Sequence, residues 1–145
     1  MSEYLSFFVP GTPRPGGSKT AFRNRYTGRV QMVDAGKDNK EWRSMIGLFA
    51  HQAMAGRPLI PGAIRVEVVF QMPRPKSHYG KAGLKAKFLL IPHTSKPDAT
   101  KLWRAAEDAL TGVVWHDDSQ ITRQLIDKKY DEKPGMLIKI FVEVV

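Results

Sequence analysis

The sequence predicts an α+β domain in which two helices pack on a small mixed, mainly antiparallel sheet. Three observations carry that expectation. Apolar residues recur at helical spacing in two separate stretches and alternate with period two in others, and the elements run strand, ribbon, helix, strand, helix, strand, strand. At 145 residues the chain suits one domain, 1–145, with a hydrophobic core of its own.

Taken in order, Tyr4–Val9 is a short aromatic and aliphatic run closed by Pro10-Gly11, and it reads as the opening strand. The stretch PGTPRPGGSKTAFRNRYTGRV that follows is too rich in Pro, Gly and Arg for a helix. It reads as a loop containing a ribbon from Ala21 to Val33 that turns at Thr27-Gly28. From Asp38 to Ala55, Trp42, Met45, Ile46, Phe49, Ala50 and Ala53 mark the buried stripe of an amphipathic helix, stopped by Gly56 and Pro58. Ile64, Val66, Val68, Phe70 and Met72 alternate with polar residues, which is a strand with one buried face. PRPKSHYGKAGLKAK shows no period and reads as a basic, mobile loop. A second helix begins at Pro97-Asp98, buries Leu102, Ala105, Ala106, Ala109 and Leu110, and stops at Gly112, with Ser95 or Asp98 available to cap its first turn. Gln120–Tyr130 and Met136–Val145 complete the sheet.

Charge divides unevenly along the chain. Residues 1–96 hold 16 Lys and Arg against 5 Asp and Glu, whereas residues 97–145 hold 7 against 9. A basic surface of this size suits a polyanionic partner, above all nucleic acid, because cations that neutralise phosphates release condensed counterions. Arg14, Lys19, Arg23, Arg25 and Arg29, interleaved with Phe22 and Tyr26, are the candidate DNA-binding residues. No apolar run approaches the roughly 20 residues that cross a bilayer, and no signal-peptide pattern opens the chain, so no membrane partner and a cytoplasmic location are expected. The chain has no cysteine, which excludes disulfides, thiolate metal sites and cysteine nucleophiles. GGSKT has a serine between the last glycine and the lysine, so it is not a phosphate loop, and no nucleotide cofactor is expected.

Against this basic background the sequence sets two adjacent carboxylates, Asp117 and Asp118, after a helix headed by Asp98. Each has an ordinary structural explanation as a cap or a turn residue. Brought together, two or three aspartates also suffice for Mg²⁺ or Mn²⁺, hard cations that keep much of their water shell.

The residues that decide between these readings run from Lys96 to Ile121, KPDATKLWRAAEDALTGVVWHDDSQI. They resemble the signature of the RusA-type Holliday-junction resolvases, in which K/R-P-D-x-D-N-L-x-K leads through an A-x-x-D-A-L helix and a short hydrophobic strand into D-D-x-Q-[IV]. About a fifth of the chain carries the likeness in detail. The resemblance implies a RusA-like α+β homodimer that binds four-way DNA junctions and nicks two strands symmetrically in recombination and repair. It implies Mg²⁺ or Mn²⁺ as cofactor, held by Asp98, Asp118 and, as a secondary ligand, Asp117. Carried over by position, the second aspartate of the family's first motif falls on Thr100, its Asn on Lys101 and its lysine on Arg104. The catalytic set expected is therefore Asp98, Asp118 and Arg104, with Lys101 facing the DNA. Thr100 and Arg104 keep an alternative open: a protein of this fold that binds junctions or branched DNA with weak or absent cleavage.

Overall fold

The structure, a computed structural model, describes residues 1–16, 19–23, 25–34 and 39–143, with only the backbone described for 19–23 and 30–34. The expected side-chain roles of Lys19, Phe22 and Arg23 thus lie outside the described residues.

The alternation at Ile64–Met72 becomes the interior strand around which the rest assembles. In chain order the strands are β1 (Ser2–Pro10), β2 (Lys19–Arg23), β3 (Val30–Asp34), β4 (Ile64–Met72), β5 (Tyr79–Gly80), β6 (Gly83–Leu84), β7 (Ile121–Tyr130) and β8 (Gly135–Val142), with helices α1 (Asn39–Met54) and α2 (Ala99–Leu110). The main sheet has the order β1-β8-β4-β7. β8 runs antiparallel to both β1 and β4, whereas β4 and β7 are parallel. This is the mixed, mostly antiparallel α+β architecture the sequence predicts, and β7 reaches its parallel place because α2 intervenes between it and β4.

Burial follows the period-two pattern. Ile64, Val66, Val68, Phe70 and Met72 point into the core, where Met136, Ile138 and Ile140 of β8 join them. Both helices cover this face. α1 inserts Trp42, Ile46, Ala50 and Met54, and α2 inserts Leu102, Trp103, Ala106 and Leu110. The opposite face of the sheet is more open: Val69, Leu125 and Leu137 line a shallow groove there, and Leu125 is 56% exposed.

Two expectations are sharpened. The ribbon forms, with β2 and β3 paired antiparallel from Lys19↔Asp34 to Arg23↔Val30, and its turn includes Gly28 at φ +70°. The segment after β4, read from sequence as an irregular mobile loop, instead holds two short 3-10 turns, 76–78 and 86–88, around the β5–β6 hairpin. Local contacts fix it. His78 stacks on Phe88 with ring centroids 4.1 Å apart, and Arg74 donates to the carbonyls of Phe88 at 2.8 Å and Leu89 at 3.3 Å. Side-chain anchors of this kind leave no periodic trace in the sequence.

Candidate active site

Asp98 stands at the N-terminal boundary of α2, where its carbonyl accepts the Leu102 N–H at 3.0 Å. Its side chain makes no capping hydrogen bond, so the expected cap is supplied by backbone conformation alone. The carboxylate instead lies 4.0 Å from Lys101 Nζ, with the two side chains 62% and 46% exposed. An exposed pair at that distance is held weakly and opens readily. Thr100 and Arg104 are also exposed on this helix.

Asp117 and Asp118 sit in a short 3-10 turn, 118–120, between the core residue Trp115 and β7. Gln120 builds the turn. Its Oε1 accepts the backbone N–H of His116 at 2.8 Å and of Asp117 at 2.9 Å, while its Nε2 donates to the carbonyls of Ile60 at 2.7 Å and Gly62 at 2.9 Å. Asp117 returns the cap by accepting from Ser119 N at 2.8 Å. The hydrogen bonds from Ser119, followed by one involving Asp118, hold the Asp117 carboxyl below its ordinary range. One aspartate of the pair thereby anchors the turn, and the exposed side chain of Asp118 is the one presented by it.

What Asp118 meets is a residue the sequence reading did not single out. Glu107 of α2 lies within hydrogen-bonding reach of Asp118, and its carboxyl is pushed up to about 7, first by burial and then by Asp118, with Asp108 adding a smaller repulsion. Trp103 Nε1 steadies Glu107 by donating to Oε2 at 2.9 Å. The available signal was positional. Glu107 follows Thr100 by seven residues, two helical turns, and so shares its side of α2.

Among the described residues, no three Asp, Glu or His side chains come together closely enough to hold a metal ion. The paired carboxylates of Glu107 and Asp118 nevertheless suit a hard divalent cation, which needs only one or two carboxylates and fills its other positions with water or phosphate oxygen. Two such groups in contact repel when both are ionised, and a bound cation would relieve that repulsion as a shared proton does.

The basic side is tied to the same helix. Gly16 N donates to Lys101 O at 2.8 Å, and Asn39 Nδ2 donates to Pro15 O at 3.2 Å, so the loop bearing Arg14 is stitched to both helices. A Cβ on Gly16 would stand 3.0 Å from Ala105 N, which makes glycine the residue that permits this close approach. Arg14 shares a cleft with Lys96 and Pro97, directly before Asp98. Arg25 and Arg29 lie on the exposed ribbon turn, flanking a Tyr26 that is 91% exposed and therefore not packed on the sheet. No helix among the described residues is long and apolar enough to cross a membrane.

The chain is similar to known proteins along most of its length. A family model described as Endodeoxyribonuclease RusA matches residues 10–141, a span that includes both helices and every acidic and basic residue discussed above. The chain is also 33% identical over 144 residues to YqaN of Bacillus subtilis (strain 168), described as an uncharacterized protein, with 94% of each chain covered.

Proposed function

The chain belongs to the Endodeoxyribonuclease RusA family, and we propose that it is a divalent-metal-dependent nuclease that resolves four-way DNA junctions by paired, symmetric nicks. Membership itself implies a nuclease of junction resolution and DNA recombination. The finer reading is supported above all by Asp118, presented by a turn that Gln120 and Asp117 hold in place and facing Glu107 across from α2.

In this reading Asp118 and Glu107 would provide the carboxylate seat for Mg²⁺ or Mn²⁺, with Asp98 and Asp117 the ligands that the family resemblance adds, and the ion would lower the pKa of a water and neutralise charge on the scissile phosphate. Arg104 stabilises negative charge developing on the phosphate oxygens, its planar fork suiting two oxygens at once. Lys101, released from its loose pairing with Asp98, contacts the backbone of the cut strand. Arg14, Lys19, Arg23, Arg25 and Arg29 attract and orient the duplex arms without reading sequence. Tyr26, at the exposed end of the ribbon, offers a ring on which an unpaired base at the junction centre stacks.

Two simultaneous nicks related by the two-fold symmetry of a junction call for two copies of the site related by the same axis, so the active species is a homodimer. The open sheet face, where Val69, Leu125 and Leu137 lie among Glu67, Asp127 and Lys139, is the surface that suits such pairing. No nucleotide cofactor takes part, and the working location is the cytoplasm, where the DNA is.

A second reading is favoured by one observation, Thr100 and Arg104 in place of the family's second aspartate and its lysine. It makes the protein a junction-binding module with little cleavage. End-labelled four-way junction incubated with the wild-type protein and Mg²⁺ or Mn²⁺ separates the two. Paired nicks support the nuclease, tight junction binding without nicks supports the module, and no preference for the junction over linear duplex removes both.

A further inference from the structure

A cleft of about 530 Å³ opens beside the candidate active site and is not used by the chemistry above. Its walls are apolar and rigid, with Pro13, Pro73 and Pro75, Met72 and the half-buried Tyr130. Its rim is cationic. Arg14 and Lys96 are exposed there, and Arg74 reaches over the Tyr130 ring with its guanidinium carbon 5.5 Å from the ring centroid. His93, 8% exposed, lies against Tyr130 at 4.6 Å between centroids, and its buried Nδ1 has no hydrogen-bond partner among the described residues. Ser95, Lys96 and Pro97 close the remaining side and lead directly into Asp98. Lys128 holds that segment still by donating from Nζ to Ser95 O at 2.8 Å and Pro97 O at 2.9 Å.

Flat apolar walls, a ring of cations and a few polar groups inside are the combination that takes an aromatic heterocycle attached to phosphate. We propose that this cleft is a subsite for one unstacked nucleotide of the DNA, its base between the proline rings and Tyr130 and its flanking phosphates on Arg14 and Lys96. The inference rests on the DNA-junction reading and deepens it. Because Pro97 lines the cleft and Asp98 follows it in the chain, a nucleotide held there is the neighbour of the scissile phosphate. The subsite then fixes the strand at the site and selects the base beside the cut. The volume lies within the range of small-molecule sites, roughly 300–1,000 Å³, and leaves room for a base with its sugar.

A scan of modified junctions tests this with the wild-type protein. A fluorescent purine analogue is placed in turn at each nucleotide near the crossover, and fluorescence is read on binding without divalent metal. In parallel, single abasic positions are scanned for nicking rate. The expected result is one nucleotide next to the nick whose analogue changes emission on binding, and whose abasic version is nicked about tenfold more slowly, the scale of a misplaced substrate, at unchanged affinity. Ser95→Trp, which fills the cleft without altering charge, is expected to remove both effects while the junction stays bound. If the junction is bound and nicked but no position shows either effect, the subsite is overturned and the nuclease reading stands. If the junction is bound without nicking, the fluorescence scan alone decides. If it is neither bound nor nicked, the reading on which the inference rests fails with it.

Discussion

Glu107 of α2 and Asp118 of the turn before β7 lie within hydrogen-bonding reach of one another, and burial together with that contact pushes the Glu107 carboxyl up to about 7. The position two turns earlier on the same side of α2 is Thr100, where the family has an aspartate. Glu107→Gln is expected to raise the Mg²⁺ concentration for half-maximal junction nicking by about tenfold, the lower end of what a supporting group contributes to metal affinity. Junction binding in the absence of metal should not change, and a metal titration of nicking checks both.

Thr100→Asp is the converse experiment. A carboxylate in the first turn of α2 is favoured by the helix dipole and adds a hard oxygen ligand near Asp98. The expected outcome is nicking at about a tenfold lower Mg²⁺ concentration than the wild type needs. A rise in nicking only at saturating metal would assign the carboxylate to the chemistry and not to ion binding.

Gln120 joins the aspartate turn to the segment before β4 through two hydrogen bonds donated to Ile60 and Gly62, and braces the turn itself through two accepted from His116 and Asp117. Gln120→Ala leaves these backbone groups to water where water reaches and unpaired where it does not. A loss of about 2 kcal/mol in unfolding free energy is expected, at about 0.5–1.5 kcal/mol per net hydrogen bond with the exposed ones worth least. Nicking should fall further than stability, because Asp118 loses its fixed position. Urea unfolding and a nicking assay under fully folded conditions measure the two separately.

Acid should weaken the fold through His78 and His93. Both are buried, at 5% and 8% exposure. Burial lowers both pKa values from 6.5, Arg74 and Lys85 lower His78 further, and Lys128 does the same for His93. A histidine held below its unfolded value binds fewer protons in the fold than in the unfolded chain. Its contribution is complete above 6.5 and is lost as the pH falls from there toward the folded value. The histidines' share of the melting temperature should therefore decline between about pH 7 and pH 5, against an opposite rise from Glu107, whose raised carboxyl takes up its proton in the fold over the same range. His78→Phe, which keeps a ring to stack on Phe88, should flatten the decline.

The fold was legible wherever burial is periodic. β4 matches its alternating stretch residue for residue, and α1 and α2 begin and end within two residues of the limits set by their apolar stripes and glycine stops. The segment around 76–88 was not legible, because His78 on Phe88 and Arg74 on two carbonyls are contacts between side chains and loops that follow no period. The site divides the same way. The D-D-x-Q turn could be read from its residues, and the structure gives its glutamine a concrete task. Glu107 could not, since a glutamate on a helix is ordinary until the fold sets Asp118 beside it. Nor could the weak engagement of Asp98, whose side chain was offered together with Ser95 as a cap for α2 and faces Lys101 instead.

The proposed function makes Asp118 part of a metal-dependent nicking centre in a junction-resolving enzyme. The most direct test compares wild type with Asp118→Asn on an end-labelled four-way junction at equal occupancy, in Mg²⁺ or Mn²⁺, with nicks mapped on all four strands. The account predicts paired nicks at symmetric positions from the wild type, and a rate at least about a hundredfold lower from the variant, as expected when a group acting in the transition state is removed. Undiminished nicking by Asp118→Asn, or a junction fully bound by wild type and left uncut in either metal, would contradict it.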